Sequence, residues 1–490
     1  MDPEPRDGNP RYHATHENEM TFPTRLRLGA TQWVPNPIAP SLQPPIRPRV
    51  RAALPGRLKQ AHRSFTILGI ETSCDDTGVA VLRTSEQHPS RARLLFNKKT
   101  TSDHRRYGGV FPPAAIRGHA EALPFLGREA VDCARSSHEG ESSNIFDLIA
   151  VTRGPGMSQN LSEGLAFAKG LAVAWSVPIV GVNHMQAHAL TPRLADALER
   201  VEARPSEDQG EAERDSRPES EETSPSFPFL SLLVSGGHTQ LVHSTGVTNH
   251  RILINASNIA IGDSLDKCAR LILPPDLVSS NPDVMYGRAL EAFAFPPEHP
   301  LEDYEYRPPQ RRRDDIAHHQ SVGGWSLLPP MATNKRLEYD FSILLSHIMN
   351  ILASRPDIQE SVELRRVLAR DVMKVAFEHL IGRLFIAAEH DPTIKEASTM
   401  VISGGVAANK FLMRVVREML AVRGMVHLEV MAPPVELCTD NAAMIAWAGW
   451  EMWRAGWTSG LRITALKNWS VDEAVEGGIL GATEWVKRDR

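Results

Sequence analysis

The chain has 490 residues, which is long enough for two or three domains of ~150 residues, each with its own hydrophobic core. Its formal net charge of -5 excludes a uniformly basic nucleic-acid binder, although a local basic surface could still recruit RNA. The four cysteines form no CxxC pair, which disfavours a disulfide framework and a cysteine zinc site. Since no apolar run reaches the ~20 residues of a membrane span, we expect a soluble protein.

Residues 1–64 differ in composition from the rest of the chain. From Met20 to Ile70 there is no Asp or Glu, while Arg and Pro are frequent, and this pattern resembles a mitochondrial transit peptide. A disordered tail is the alternative, because Asp2, Glu4 and Asp7 do not suit a presequence. Translation that begins at Met20 instead of Met1 would reconcile the two interpretations. The sequence therefore predicts a transit peptide or disordered extension over residues 1–64.

The folded part begins with two strands joined by a tight turn, predicted by the apolar residues on either side of a polar turn in 65–82. A buried strand at 146–151, a helix at 160–175 and another strand at 178–182 follow. Strands that alternate with helices indicate a largely parallel sheet covered on both faces. We assign residues 65–198 to an N-terminal lobe.

The second half of the chain repeats this layout. Residues 199–226 are rich in Glu, Ser and Pro, and too poor in large apolar residues to order themselves, which predicts a disordered acidic insertion. Residues 227–244 again read as strand, glycine turn and strand, so we assign 227–487 to a second lobe across a cleft. An irregular insertion at about 296–323 is interpreted as a solvated loop, with an RNA contact as the alternative.

A histidine pair follows the strand at 178–182. His184 and His188 are four residues apart and project from one helix face, so that two imidazoles can converge on one ion. Asn183 is placed to cap this helix. Ordinary surface or core histidines are the alternative, but ligand sites of α/β proteins gather at the carboxyl ends of strands. Met185 stands where a HExxH protease carries its catalytic glutamate, which argues against a zincin-type peptidase.

Asp440 is the candidate third ligand, at the start of a predicted helix that runs from Asn441. Its carboxylate could coordinate a metal ion, or it could merely cap the helix. Two imidazoles and one carboxylate suit one divalent ion, zinc or ferrous iron, and leave coordination positions open.

Three glycine turns could bring backbone amides close to a phosphate group, at 154–156, 234–239 and 403–409. Each turn alone is weak evidence, because Gly-Gly often marks an ordinary tight connection. Their recurrence in both lobes is a stronger signal. None has the spacing of a P-loop or a dinucleotide fingerprint, which excludes both of those sites.

Several motifs, taken in order, resemble those of the tRNA N6-adenosine threonylcarbamoyltransferase family, formerly called O-sialoglycoprotein endopeptidase. They are GIETSCDDTGVAVL, GGVFPPAAIRGHAEALP, RGPGMSQNLSEGLAFAKGLA, NHMQAHAL, LLVSGGHTQLV, IGDSLDKCARL, ISGGVAANKFL and CTDNAAMIAW. The resemblance covers about residues 65–450 and is closest to the bacterial and mitochondrial branch. It implies a two-lobed actin-like ATPase (ASKHA) fold, with duplicated RNase H-like lobes around a central cleft.

The resemblance also implies an activity, which is transfer of the threonylcarbamoyl group from threonylcarbamoyl-AMP to N6 of the adenosine 3′ of the anticodon in tRNAs reading ANN codons. It implies metal ligation by His184, His188 and Asp440. The residues implied to hold the adenylate are Leu233, Val234, Ser235, Gly236, Gly237, Asp266, Gly287 and Asn409. The implied partners are tRNA, a separate synthase that makes the adenylate, and a second copy of the chain in a homodimer, in the mitochondrial matrix.

Three other functions are alternatives to the transferase. A metallopeptidase follows from the older family name, but the glutamate beside the histidine pair is missing. A nonenzymatic nucleotide-binding scaffold has no need of an open metal site, and an ATP-dependent kinase follows from fold analogy alone. The sequence indicates no unambiguous general base.

Overall fold

The computed structural model describes residues 64–107, 109–137, 144–202, 222–256, 258–281 and 285–488. Its strands are β1 (Ser64–Glu71), β2 (Asp76–Ser85), β3 (Arg93–Thr101), β4 (Leu148–Gly154), β5 (Ile179–Asn183), β6 (Phe229–Val234), β7 (Thr239–Ser244), β8 (His250–Ala256), β9 (His319–Gln320), β10 (Ser326–Leu327), β11 (Glu338–Tyr339), β12 (Thr399–Ser403), β13 (Glu429–Met431), β14 (Trp457–Ser459) and β15 (Trp485–Lys487). Its α-helices are α1 (Pro112–Ser136), α2 (Ser158–Trp175), α3 (His184–Glu202), α4 (Ile261–Ile272), α5 (Pro275–Ser280), α6 (Gly287–Ala294), α7 (Arg312–Asp315), α8 (Ser342–Ser354), α9 (Asp357–Glu360), α10 (Val362–His390), α11 (Lys410–Val422), α12 (Val435–Cys438), α13 (Ala442–Arg454) and α14 (Gly478–Gly481). Short 3-10 helices span Arg105–Tyr107, Leu301–Asp303, Pro392–Glu396 and Gly405–Ala408.

Two large sheets share one strand order. The first runs β15-β14-β5-β4-β1-β2-β3 and the second runs β11-β8-β7-β6-β12-β13. In each sheet, three consecutive strands pair antiparallel, a fourth strand pairs in parallel with the first of them, and a fifth pairs in parallel with the fourth. This repeated order is a duplicated unit, and it confirms the predicted two-lobed actin-like fold.

The first sheet forms as its sequence predicts. The strand pair expected at 65–82 is the antiparallel hairpin of β1 and β2, and the expected helix at 160–175 is α2. Strands β4 and β5 are buried along their whole length. Continuous apolar runs of this kind are typical of parallel strands that are covered on both faces.

The C-terminal segment returns to the first sheet. Strand β14 pairs with β5 and with β15. The sequence pattern, in contrast, predicts that all of 227–487 belongs to the second lobe. Helix α13 also packs on the first sheet, where a Cβ atom added at Gly69 would lie 2.2 Å from the carbonyl oxygen of Ala442. Glycine at position 69 therefore allows the helix to approach β1 closely. The boundary is corrected accordingly, since the second lobe ends before α13.

The predicted insertions differ in how far the structure describes them. Residues 1–63 and 203–221 lie outside the described residues, and they include most of the predicted extension and acidic insertion. The prediction of disorder is wrong at both ends of 199–226, because residues 199–202 continue α3 and Arg193 donates hydrogen bonds to the carbonyls of Thr223 and Pro225. The insertion at about 296–323 has only short elements, but buried Tyr306 packs on Phe411, so that part of it belongs to the core.

Helices α3 and α13 lie between the two sheets. One apolar cluster joins Val180 of the first sheet, Leu190 of α3 and Trp447 of α13 to Leu233 and Val401 of the second sheet. The ends of β5, β6 and β12 are thereby held close to the start of α3. Among the described residues, no helix combines the length and apolar character needed to span a membrane.

Candidate metal and nucleotide site

The histidine pair lies where β5 passes directly into α3. The side-chain oxygen of Asn183 accepts hydrogen bonds from the backbone N–H groups of Met185 and Gln186, which confirms the predicted cap. His184 and His188 are both buried, and their ring centroids are 4.7 Å apart with the rings nearly perpendicular. The helix start is thus fixed by a neutral cap, which holds the two imidazoles on one face.

Asp440 meets this pair from the start of α13. Its Oδ1 atom lies 3.0 Å from Nε2 of His188 and 3.6 Å from Nε2 of His184. The helix is capped instead by Asn441, whose side-chain oxygen accepts the N–H of Met444. The alternative that Asp440 serves as the helix cap is therefore wrong.

Glu71 is a residue that the sequence reasoning missed. It ends β1, and its Oε2 atom lies 3.2 Å from Nδ1 of His184 while accepting the hydroxyl hydrogen of Thr152. Its Oε1 atom accepts the backbone N–H of Ser73, whose hydroxyl is itself 3.3 Å from Nδ1 of His184. The available signal was the polar segment directly after β1, at the same sheet edge as the histidine pair.

Burial and the charges of neighbouring groups shift the pKa values of the residues in this cluster. Burial disfavours the imidazolium form of His184, but the Asp440 and Glu71 carboxylates outweigh it and raise the pKa of His184 to about 9. Burial likewise opposes ionisation of Asp440, yet the two histidines hold the pKa of Asp440 well below its usual range. Burial, followed by the positive charges of His184 and His188, lowers the pKa of His238 to about 4. His238 lies in the turn after β6 and therefore faces the cluster from the second lobe.

The donor set fits a divalent metal ion. One ligand atom from each of His184, His188 and Asp440 lies within 4.8 Å of the others. A proton on Nδ1 of His184, donated to Glu71, would leave the Nε2 lone pair facing Asp440. Carboxylates are commonly found behind metal-bound histidines in this way. The set of two imidazoles and one carboxylate suits zinc or ferrous iron.

Two glycine turns of the second lobe lie at the adjoining edge of the second sheet. Strands β6 and β12 are parallel neighbours with Leu233 opposite Ser403, so that their following turns are adjacent. A Cβ atom added at Gly404 would lie 2.3 Å from the carbonyl oxygen of Val234. By contrast, a Cβ atom at Gly236, Gly237 or Gly405 would meet no described heavy atom within 4 Å. At these open positions the protein's own packing does not require glycine.

The other sequence-predicted residues of the nucleotide site surround these turns. Asp266 on α4 accepts the backbone N–H groups of Tyr286 and Gly287 at 2.7 Å, and burial raises its pKa to about 6. Asn409 caps α11 by accepting the N–H of Leu412. Glu291, in the middle of α6, accepts a hydrogen bond from the N–H of Phe411 at the start of α11. Asp266 and Gly287 therefore contact each other, and Asn409 lies beside α6.

The metal cluster and the glycine turns are neighbours. The Ser403 hydroxyl lies 3.4 Å from the His188 carbonyl oxygen, and Gly262 at the start of α4 packs on the turn that contains Ser235 and Gly236. Leu233 and Val234 are buried at the end of β6, whereas the glycines beyond them face open space. The predicted metal and nucleotide residues thus form one continuous surface where the two sheets meet.

Comparison with known proteins gives the family. The family model described as tRNA N6-adenosine threonylcarbamoyltransferase (TsaD) matches residues 93–204 and 215–447. A mitochondrial enzyme of this name from Schizosaccharomyces pombe is 34% identical over 434 residues, covering 85% of this chain and 90% of that protein. The chain belongs to this family. It is therefore a transferase that modifies tRNA, and the resemblance seen in its motifs is confirmed.

A bacterial relative agrees with this assignment. The tRNA N6-adenosine threonylcarbamoyltransferase of Cereibacter sphaeroides is 32% identical over 419 residues, which cover 84% of this chain and 95% of the relative. Among solved structures, HypF of T. kodakarensis is 13% identical with a TM-score of 0.41, covering 81% of this chain and 48% of that one.

Proposed function

We propose that the chain transfers a threonylcarbamoyl group from threonylcarbamoyl-AMP to N6 of the adenosine 3′ of the anticodon in tRNAs that read ANN codons, and releases AMP. The observation that carries this proposal is the continuous surface at the meeting of the two sheets. A buried cluster of imidazole and carboxylate groups lies on one side, and open glycine turns lie on the other. The first suits an oxygen-rich acyl group, and the second suits an adenylate.

His184, His188 and Asp440 would hold one divalent ion, zinc or ferrous iron, with Glu71 orienting His184. When bound, the ion supplies positive charge that polarises an oxygen of the threonylcarbamoyl group. The surrounding burial strengthens this effect, because charges interact more strongly away from water.

The adenylate would lie along the turn Leu233–Gly237, with Asp266, Gly287 and Asn409 beside it. Gly236, Gly237 and Gly405 leave room for a ligand to approach the backbone, whose N–H groups can bind phosphate oxygens. In this site Asp266 and Asn409 have a structural part as well, because they fix the starts of α6 and α11.

The reaction forms one bond and breaks one bond. N6 of adenosine attacks the carbamoyl carbon, the bond from that carbon to the phosphate oxygen breaks, and AMP leaves with the electron pair. The amine loses one proton, which the departing phosphate can accept. Because an exocyclic amine of adenine is a weak nucleophile, most of the acceleration comes from orientation and from stabilisation of developing charge.

The anticodon loop suits this cleft, because a loop base leaves its stack more cheaply than a duplex base. A separate synthase supplies the adenylate in the same compartment. We place the chain in the mitochondrial matrix as a homodimer, with residues 1–64 as the transit peptide. The mitochondrial name of the Schizosaccharomyces pombe relative and the basic composition of the extension support this placement.

The deciding experiment is nucleoside mass spectrometry of an ANN-decoding tRNA incubated with the purified protein, a synthase, threonine, bicarbonate and ATP. Threonylcarbamoyladenosine should form with the wild type and not with His188→Ala. Folded, metal-loaded wild type that yields none would overturn the transferase proposal. Peptide cleavage in the absence of tRNA would revive the metallopeptidase, whose glutamate position is occupied here by the buried Met185.

A further inference from the structure

The most distinctive surface outside the site lies on the first lobe between β3 and α1. A cavity of about 560 Å³ opens there, and the rings of Tyr107 and Phe111 stack beside it with centroids 4.1 Å apart and planes within 24°. Both rings are more than one third exposed, as is Val110. We define the nucleobase pocket as Ser102, Arg106, Tyr107, Phe111, Arg117 and Glu121, which all line this cavity.

The nucleobase pocket has the chemistry of a binder of unpaired nucleotides. The guanidinium of Arg106 lies 4.5 Å from the Tyr107 ring centroid, which is a cation–π arrangement. Arg117 is exposed on α1 and can form an ion pair with a phosphate. The carboxylate of Glu121 can accept a hydrogen bond from the amino group of a base. The Ser102 hydroxyl has no hydrogen-bond partner among the described residues, although it is buried. Unpaired RNA bases are bound by stacking on aromatic rings with nearby arginines.

A short loop connects this pocket to the metal cluster. Ser73 in the loop approaches His184 on one side, and on the other side the carbonyl oxygen of Asp75 accepts the backbone N–H of Ser102. Lys99 on β3 also reaches Thr439, the residue before Asp440, at 3.3 Å. An RNA loop whose target base lies at the metal cluster would therefore have its neighbouring nucleotides close to the stacked rings.

We propose that the nucleobase pocket binds an unpaired anticodon-loop nucleotide next to the target adenosine, by stacking on the outer face of Phe111, which Tyr107 supports from behind, and by contact of Arg117 with a phosphate. This inference rests on the proposed transferase function, because it takes tRNA as the substrate. The stacked rings hold the loop open, so that the target base can reach the cleft.

The test measures binding of a fluorescent anticodon stem-loop RNA by anisotropy. Phe111→Leu keeps apolar volume but removes the flat ring, and should raise the Kd for the RNA roughly 5- to 100-fold. Phe111→Tyr keeps a flat ring and should bind the RNA as the wild type does. Arg117→Ala should lower the slope of log affinity against log salt by about one. Arg462→Ala, a change at an exposed arginine paired with Glu484, is the matched control and should leave both quantities unchanged.

Two results would overturn the inference. One is an unchanged RNA affinity in the double variant Phe111→Leu, Arg117→Ala. The other is weakened self-association of that variant by light scattering with the change in RNA affinity lost once both proteins are compared as monomers, which would make this surface a contact with a second copy. In either case the proposed transferase function would still stand, provided that the wild type forms threonylcarbamoyladenosine on tRNA. Binding of an adenylate analogue should not change in any variant, which separates a lost docking surface from a misfolded cleft.

Discussion

The two sides of the cleft are built by different means. On the metal side, functional atoms belong to buried, charged side chains that hold one another in place through contacts such as that of His184 with Glu71. On the nucleotide side, the functional surface is mainly backbone, and open glycines such as Gly236 contribute by lacking a side chain. The metal side should therefore be sensitive to loss of a chemical group, and the nucleotide side to addition of one.

Removal of a metal ligand should have the largest effect. In His188→Ala we expect the bound metal to be lost, and the rate of threonylcarbamoyladenosine formation to fall by at least about 100-fold, because a metal held by two remaining ligands binds weakly. Metal content by mass spectrometry and modification rate are measured together. His427→Ala, at an exposed histidine, is the control. Full metal occupancy in His188→Ala would contradict the assigned ligand set.

Glu71 should have a smaller effect through the same metal. Glu71→Gln removes the charge behind His184, and loss of such a partner typically weakens metal affinity about 10- to 100-fold. Competition with a chelator measures the change. Glu129→Gln, at an exposed carboxylate paired with Lys98, should not alter metal affinity. Equal affinities in the wild type and Glu71→Gln would show that Glu71 does not support the ligand.

Substitution by alanine should have different effects at two neighbouring glycines on the nucleotide side, lowering stability at Gly404 and ligand affinity at Gly405. At Gly404, φ is +99° and an added Cβ atom would clash with the Val234 carbonyl, so Gly404→Ala should lower the free energy of unfolding by at least about 2 kcal/mol.

Gly405→Ala should change the unfolding free energy by less than about 0.5 kcal/mol, because its Cβ atom enters open space. It should instead weaken binding of an adenylate analogue. Urea unfolding and calorimetry would separate these effects, and unchanged ligand affinity in a stable Gly405→Ala protein would place the adenylate elsewhere.

The last effect concerns pH and lies away from the cleft. Burial lowers the pKa of His250 to about 4, from an ordinary value of 6.5. As pH falls below 6.5 the unfolded chain binds this proton and the folded chain does not, so stability is lost down to about pH 4. The contribution of His250 to the loss at pH 5 should be at most about 2 kcal/mol.

Urea unfolding of the wild type and of His250→Gln, each at pH 7 and pH 5, measures the contribution of His250. His250→Gln should reduce the difference between the two pH values. His427→Gln should leave it as in the wild type, since His427 is exposed. An unaltered pH difference in His250→Gln would exclude His250 as its source.

Local patterns were reliable where neighbours in sequence are also neighbours in space. The hairpin at the start of the fold, the helix after β5 and the Asn183 cap are confirmed, because each depends on residues only a few positions apart. The choice of Asp440 as ligand or cap could not be settled locally. Asn441 offers the same capping chemistry one residue later, and only the position of α13 against α3 shows which residue faces the histidines.

The sequence by itself indicated the repeated layout of strand, turn and strand in the two halves, the histidine pair on one helix face and the glycine turns, since these follow from periodicity, spacing and motif. Only the tertiary structure decided that β14 and β15 return to the first sheet, that Glu71 supports His184, and that His238 faces the metal cluster. Glu71 and His184 are 113 positions apart in the chain, and Ser459 of β14 lies 280 positions from its partner Ile179 of β5. Packing of α3 and α13 between two sheets brings them together, and no local pattern encodes that packing.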